Sequence, residues 1–96
     1  MNDRKRAILI NLNDNVAMVL SKVEKNEKII LIHNGRQIDN LQVLDDIEIY
    51  HKVAIKSINE KEKIYKYDEV IGEAVKVIQK GQHVHVDNIK SVMVKQ

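Results

Sequence analysis

The large apolar side chains available to build a core are aliphatic, and most of them branch at Cβ. The chain of 96 residues has no Phe, no Trp and three Tyr, against fourteen Ile, twelve Val and six Leu. Branching at Cβ stiffens χ1, disfavours helix and suits the pleated surface of a sheet, so a mainly β fold is expected. Polar turn-formers interrupt the apolar runs every few residues, which implies short strands and tight turns. The length corresponds to a single domain, residues 1–96, with a modest core and too little mass to enclose a large pocket unaided. A partner is therefore expected.

Sixteen Lys and Arg face fourteen Asp and Glu, for a formal charge of +2 spread along the chain. Nucleic-acid binding is not expected, because no basic block is present and Tyr65 and Tyr67 stand together instead of alternating with bases. The absence of Cys rules out disulfides, thiol nucleophiles and Cys-based metal or iron–sulfur sites supplied by this chain. The basic N-terminus precedes an apolar run, Ala7 to Ile10, too short for a signal peptide, and no cleavage site follows. A cytoplasmic protein without a membrane span is the expectation.

Along the chain, residues 6–12 read as a first strand. Residues 13–23 read as a short helix, with Asn13 or Asp14 as cap and Val16, Val19, Leu20 and Val23 at helical spacing. A polar turn leads to a strand at 29–33, and Asn34-Gly35 signals a hairpin. The following strand breaks its alternation, which predicts a bend near Asn40. Residues 47–58 alternate as one strand, with Ile47, Ile49, His51, Val53 and Ile55 on one face. A turn at 59–62 precedes a strand at 63–67. Residues 70–78 suit either a strand or a helix, a turn follows at 79–82, and a strand-like tail runs beyond Ile89. No linker, low-complexity tract or repeat is evident.

The chemistry-bearing candidates lie in "GQHVHVDN", residues 81–88. On a strand His83, His85 and Asp87 share one face, spaced by roughly 6.5–7 Å, and could converge on one ion or one substrate oxygen. The same pattern also describes a solvated strand face, and spacing alone does not choose. Lys52 and Tyr67 are polar candidates at strand positions, and His33 flanks a turn. No Ser–His–Asp set, phosphate loop or paired-carboxylate spacing is present.

Two stretches, "DNVAMVL" at 14–20 and "HKVAIKSINEKEKIYKYDEVIGEAVKVIQKGQHVHVDNI" at 51–89, in this order, resemble the SAF-type domain of the altronate/galactarate dehydratase family. That domain also occurs as a separate small subunit, including in sulfolactate sulfo-lyases. The resemblance implies a small β-clip domain with one or two short helices, and strand plus turn for residues 70–78. It further implies the small subunit of a hydro-lyase whose active site is shared with a large dehydratase subunit. Loss of water from a sugar acid, or of sulfite, would then proceed by proton removal beside the carboxylate and acid-assisted departure of the β group. A divalent metal, iron being one candidate, would be held mainly by the large subunit. His83 and His85 would face the active site as catalytic groups, and both, with Asp87, are also metal-ligand candidates. Asp87, Asn88, Lys52, Tyr67 and Asn15 would contact substrate or partner, and a homo-oligomer is compatible with this reading. Three positions depart from the family pattern: Asp87 replaces a third histidine, and Tyr50 and Asp68 stand where glycine gives free access to positive φ. A non-catalytic carbohydrate- or anion-binding module and a structural adaptor are the competing classes.

Overall fold

The computed structural model describes residues 4–91. Its nine strands are β1 (Arg6–Ile8), β2 (Val16–Val19), β3 (Lys28–His33), β4 (Arg36–Gln42), β5 (Lys52–Ala54), β6 (Lys63–Lys66), β7 (Glu69–Ala74), β8 (His83–Val84) and β9 (Ile89–Ser91). They form a six-stranded sheet in the order β4-β3-β1-β2-β5-β8 and a three-stranded sheet β6-β7-β9. The β1–β3 pairing is parallel and the other pairings are antiparallel. No helix occurs among the described residues, hence none long and apolar enough to cross a membrane. The mainly β expectation holds, and the short helices do not. The sequence-predicted strand beyond Ser91 lies outside the described residues.

Turns organise this architecture. Val23, Ile47, Ile58 and Ile78, all fully buried, each begin the same short passage. Three positions on, the backbone is left-handed, at Asn26 (φ 78°), Tyr50 (67°), Lys61 (73°) and Gly81 (95°). A 3.0 Å bond closes each turn: the amides of Glu27, His51, Glu62 and Gln82 donate to the carbonyls of Glu24, Glu48, Asn59 and Gln79. Positive φ at the third residue is the signature of a type II turn. Three positions later the chain re-enters the core at Ile29, Val53, Ile64 and Val84, again fully buried. The fold therefore contains a fourfold repeat where the sequence suggests none. Apolar spacing and backbone handedness recur together with polar residues that open and close each turn, while Asn, Tyr, Lys and Gly fill the left-handed position in turn.

The four passages act in two pairs. Val23 and Ile47 exchange backbone hydrogen bonds of 2.9 and 2.8 Å, and Ile58 and Ile78 exchange two of 2.8 Å. Each pair closes the base of a hairpin, β3–β4 turning at Asn34-Gly35 and β6–β7 turning at Tyr67-Asp68. The expected bend near Asn40 is instead a bulge at Ile38, since Leu31 faces Asp39 while Ile32 faces Gln37. Each unit has its own core. The first gathers Val19, Val23, Ile29, Leu31, Val43, Ile47 and Val53, and the second Val16, Ala54, Ile58, Ile64, Ile78 and Val84.

This double core explains two corrections to the sequence reading. Residues 16–19 form strand, not helix, because Val16 enters one core while Ala17 and Val19 enter the other. A strand buried on both faces imitates helical apolar spacing. Residues 47–58 are not one strand either: the turn at Tyr50 breaks the alternation and leaves Ile49 44% exposed. The predicted helix cap Asp14 has a different task. Its carboxylate accepts the amides of Tyr67 (2.8 Å) and Asp68 (2.7 Å), both in left-handed conformation at φ 56° and 61°. Such successive positive φ values are those of a type I′ hairpin turn.

Tyr50 and Gly81 occupy equivalent turn positions with opposite residue economies. A bulky side chain in the left-handed region costs about 1–2 kcal/mol, part of which glycine returns as extra freedom of the unfolded chain. A Cβ at Gly81 would collide with the Gln42 carbonyl oxygen. Tyr50→Gly is therefore expected to raise stability by about 0.5–1 kcal/mol and Gly81→Ala to lower it by at least about 2 kcal/mol. Urea midpoints measured at constant m-value check both.

Candidate functional site

The exits of the two units meet as β5 and β8, with Val53 opposite His83 and Lys52 opposite Val84. Side chains of directly opposed residues share a face. His83 thus lies on the Val53 face. The strand ends at Val84, so "HVHVD" is not the single strand its alternation suggests. Residues 85–88 form a bend and turn, which leaves Val86 80% exposed.

Asn88 shapes that turn. Its Oδ1 accepts the His85 amide at 2.9 Å, and its Nδ2 donates to the His83 carbonyl at 2.6 Å. The Asn88 amide closes the loop onto the His85 carbonyl at 3.0 Å, and the Asp45 carboxylate accepts the His83 amide at 2.9 Å. Backbone on both sides of the histidine pair is therefore fixed by buried or half-buried polar groups, each with its partner.

A third histidine completes the cluster. His51 Nδ1 lies 2.9 Å from His83 Nε2, so one hydrogen is shared between the two rings. The ring centroids of His51, His83 and His85 are separated by 4.8–5.1 Å, with the planes inclined by 13–21°. One nitrogen from each ring falls within 4.8 Å of the other two. Among the described residues no other set of three His, Cys, Asp or Glu groups converges in this way, and Asp87 is not one of the three.

The turn repeat explains why His51 is available. In the other three passages the last turn residue folds its side chain back onto its own turn: Glu27 accepts the Glu24 amide (2.7 Å), Glu62 the Asn59 amide (2.8 Å) and Gln82 the Gln79 amide (2.5 Å). Histidine occupies that position in the fourth. Its ring reaches across to β8 instead.

Burial holds His83 below the usual imidazole range, and the neighbouring His85 and His51 push it the same way, while Asp87 and Asp45 partly oppose them. The neutral ring keeps a lone pair for a ligand or a proton. Beside it, Asp45, Lys76, His83, Asp87 and Asn88 line an open pocket of about 420 Å³.

The other sequence-predicted residues gather elsewhere. Lys52 shares the face of Val84 and Met18, opposite the histidines. Burial, then the charge of Lys66, lowers its pKa, and the Lys66 ammonium sits 4.9 Å from the Tyr67 ring centroid. Asn15 is 2% exposed, and its amide is spent on the Lys63 carbonyl and the Tyr65 amide, at 2.8 Å each. It is a clasp between the start of β2 and β6. His33, which donates to or accepts nothing from the cluster, pairs with the Leu9 carbonyl at 2.8 Å. Sequence reasoning missed His51, which is remote along the chain; its place in "HKVA", at the start of the second matching stretch, was the available signal.

The profile described as the altronate/galactarate dehydratase SAF domain matches residues 5–92. The chain belongs to this family. It is 37% identical over 87 residues to altronate dehydratase of Bacillus subtilis (strain 168), a match covering 91% of this chain and 16% of that protein. It is 46% identical over 50 residues to the (2R)-sulfolactate sulfo-lyase subunit alpha of Chromohalobacter salexigens, covering 52% of this chain and 53% of the relative. The corresponding subunit of Paracoccus pantotrophus is 44% identical over 46 residues, 48% of this chain and 69% of the relative.

The lowered His83 pKa contributes to the pH dependence of stability just below neutrality. A base whose folded pKa lies below its unfolded value binds fewer protons when folded, so stability falls as pH drops through the unfolded value near 6.5 and levels off below the folded one. For metal-free protein, urea midpoints followed downward from neutral pH are expected to show this loss, and His83→Gln to reduce it.

Proposed function

We propose that this SAF domain is the small component of a lyase of the sugar-acid dehydratase type, and that it completes an active site on a larger chain with His51, His83 and His85. The observation that carries the reading is the convergence of three imidazoles at the meeting of β5 and β8 in a domain of this family. The adjoining pocket is open and polar. A second chain closing over it would exclude water and strengthen the electrostatics on which elimination depends.

In the proposed reaction a base on the larger chain removes the proton beside the substrate carboxylate. The C–H electron pair first enters an enolate-like intermediate, whose collapse forms the new double bond while an acid on the larger chain protonates the β hydroxyl, which leaves as water. Neutral His83 is suited to hold a lone pair toward the reacting centre, not to donate the proton. Asn88 and Asp45 keep its backbone in place. A divalent cation, when bound, supplies positive charge that stabilises the enolate-like intermediate, and three neutral imidazole nitrogens are a donor set that fits such an ion. Lys52 and Tyr67, on the other side of β5, are assigned to partner contact.

The second reading is loss of sulfite from sulfolactate. It is supported by identity of 46% and 44% to two sulfo-lyase alpha subunits, whereas the altronate dehydratase match covers more of this chain. Co-expression with a large dehydratase chain, followed by assay on altronate, galactarate and sulfolactate, separates the readings. The expected result is a stable complex, turnover only with both chains present, and a loss of at least about 100-fold in the His83→Ala/His85→Ala variant. Undiminished turnover in that variant, or failure to form a complex, contradicts the proposal.

A further inference from the structure

We propose that this chain by itself binds one divalent transition-metal ion through His51, His83 and His85, leaving an open coordination position. The set differs from the one suggested by local spacing, His83, His85 and Asp87, by exchanging Asp87 for a residue more than thirty positions upstream.

Three observations carry the inference. First, the geometry is close to that of a bound site. Metal–nitrogen bonds of about 2.0–2.1 Å place tetrahedral ligand atoms roughly 3.3–3.4 Å apart. The nitrogens here lie within 4.8 Å of one another, with His51 Nδ1 and His83 Nε2 at 2.9 Å. The ion takes the place of the one hydrogen that the His51 and His83 rings share.

Second, the site is held in place before any ion arrives. The type II turn fixes the His51 backbone, β5–β8 pairing and Asp45 fix that of His83, and Asn88 fixes that of His85. The three rings already stand nearly parallel and in contact, so little ordering entropy opposes binding.

Third, the arrangement has no other evident use in the chain. Glu27, Glu62 and Gln82 at the equivalent turn positions bond back to their own turns. His51 forgoes that bond and meets two other bases. Three clustered imidazoles gain little from one another without a shared cation, since protonating one disfavours protonating its neighbours.

The donor set names the class of ion. Neutral imidazoles suit zinc, cobalt, nickel and iron(II), and not magnesium or calcium, which prefer oxygen ligands. Three protein ligands with a free position is the form of a catalytic metal site, not a closed structural one. The inference concerns the same histidines as the proposed active site but does not depend on the lyase reading, because the isolated chain tests it.

The untagged chain, stripped with chelator, is titrated with Zn2+, Co2+ and Mg2+ by calorimetry, with the visible spectrum of the Co2+ form recorded alongside. One Zn2+ or Co2+ per chain is expected, with the intense visible bands of four-coordinate cobalt and no uptake of Mg2+. His51→Ala and His85→Ala should each weaken binding by at least about 100-fold, and Asp87→Ala by less than about tenfold. Circular dichroism confirms that each variant is folded. Absence of Zn2+ and Co2+ uptake by the folded chain overturns the inference. So does a greater loss in Asp87→Ala than in His51→Ala, which would restore the set suggested by spacing. Neither result would bear on complex formation with a larger chain, so the two proposals fail separately.

Discussion

The antiparallel contact between β5 and β8 is the interaction on which the rest of the arrangement depends. It is short, pairing Lys52 with Val84 and Val53 with His83, yet it is where the exits of the two hairpin units meet. Val53 belongs to the first core and Val84 to the second. Burial of each such side chain is worth about 1.5–3 kcal/mol, and the pairing ties both contributions to one register. A slip by one residue would turn Val84 out of its core and His83 into it. The apolar cores thus hold the histidines in position, and polar groups refine the placement.

The division of labour between the faces of this contact follows from the same register. One face presents His83, with His51 and His85 beside it, and the pocket that Asp45, Asp87 and Asn88 share with His83. The other carries Lys52 toward Met18 and Val84, within reach of the Lys66 charge. The Lys52 ammonium is thereby separated from the His83 ring by a layer of backbone, whereas Lys76 lines the pocket on the histidine side.

How much of this could be read from the sequence depended on the range of the physics involved. The abundance of Ile and Val specified strand, and Asn34-Gly35 specified its hairpin, because both signals are local. Helical spacing at Val16, Val19 and Leu20 misled because a strand shared by two cores has apolar residues on both faces. Alternation from Ile47 to Ile55 misled because parity carries no sign of the left-handed residue at Tyr50. His83 and His85 were visible as a pair; their partner His51 was not. Recognising it required noticing that His51 stands where Glu27, Glu62 and Gln82 cap their turns, a repeat that backbone conformation makes plain. The resemblance of the "HKVA" stretch marked the segment without giving the residue a role.

Two turns, one at Tyr50 and one built on Asn88, deliver His51 and His85 to His83 across the β5–β8 contact. The most direct measurement is the nitrogen–nitrogen coupling across the hydrogen bond between His51 Nδ1 and His83 Nε2, read by NMR on metal-free, 15N-labelled protein. A resolved coupling between those two atoms, lost in His51→Ala with the β5–β8 amide contacts retained, is the predicted result. Imidazole nitrogens that show no coupling and titrate independently, in a protein whose β5–β8 contacts are intact, would contradict the account.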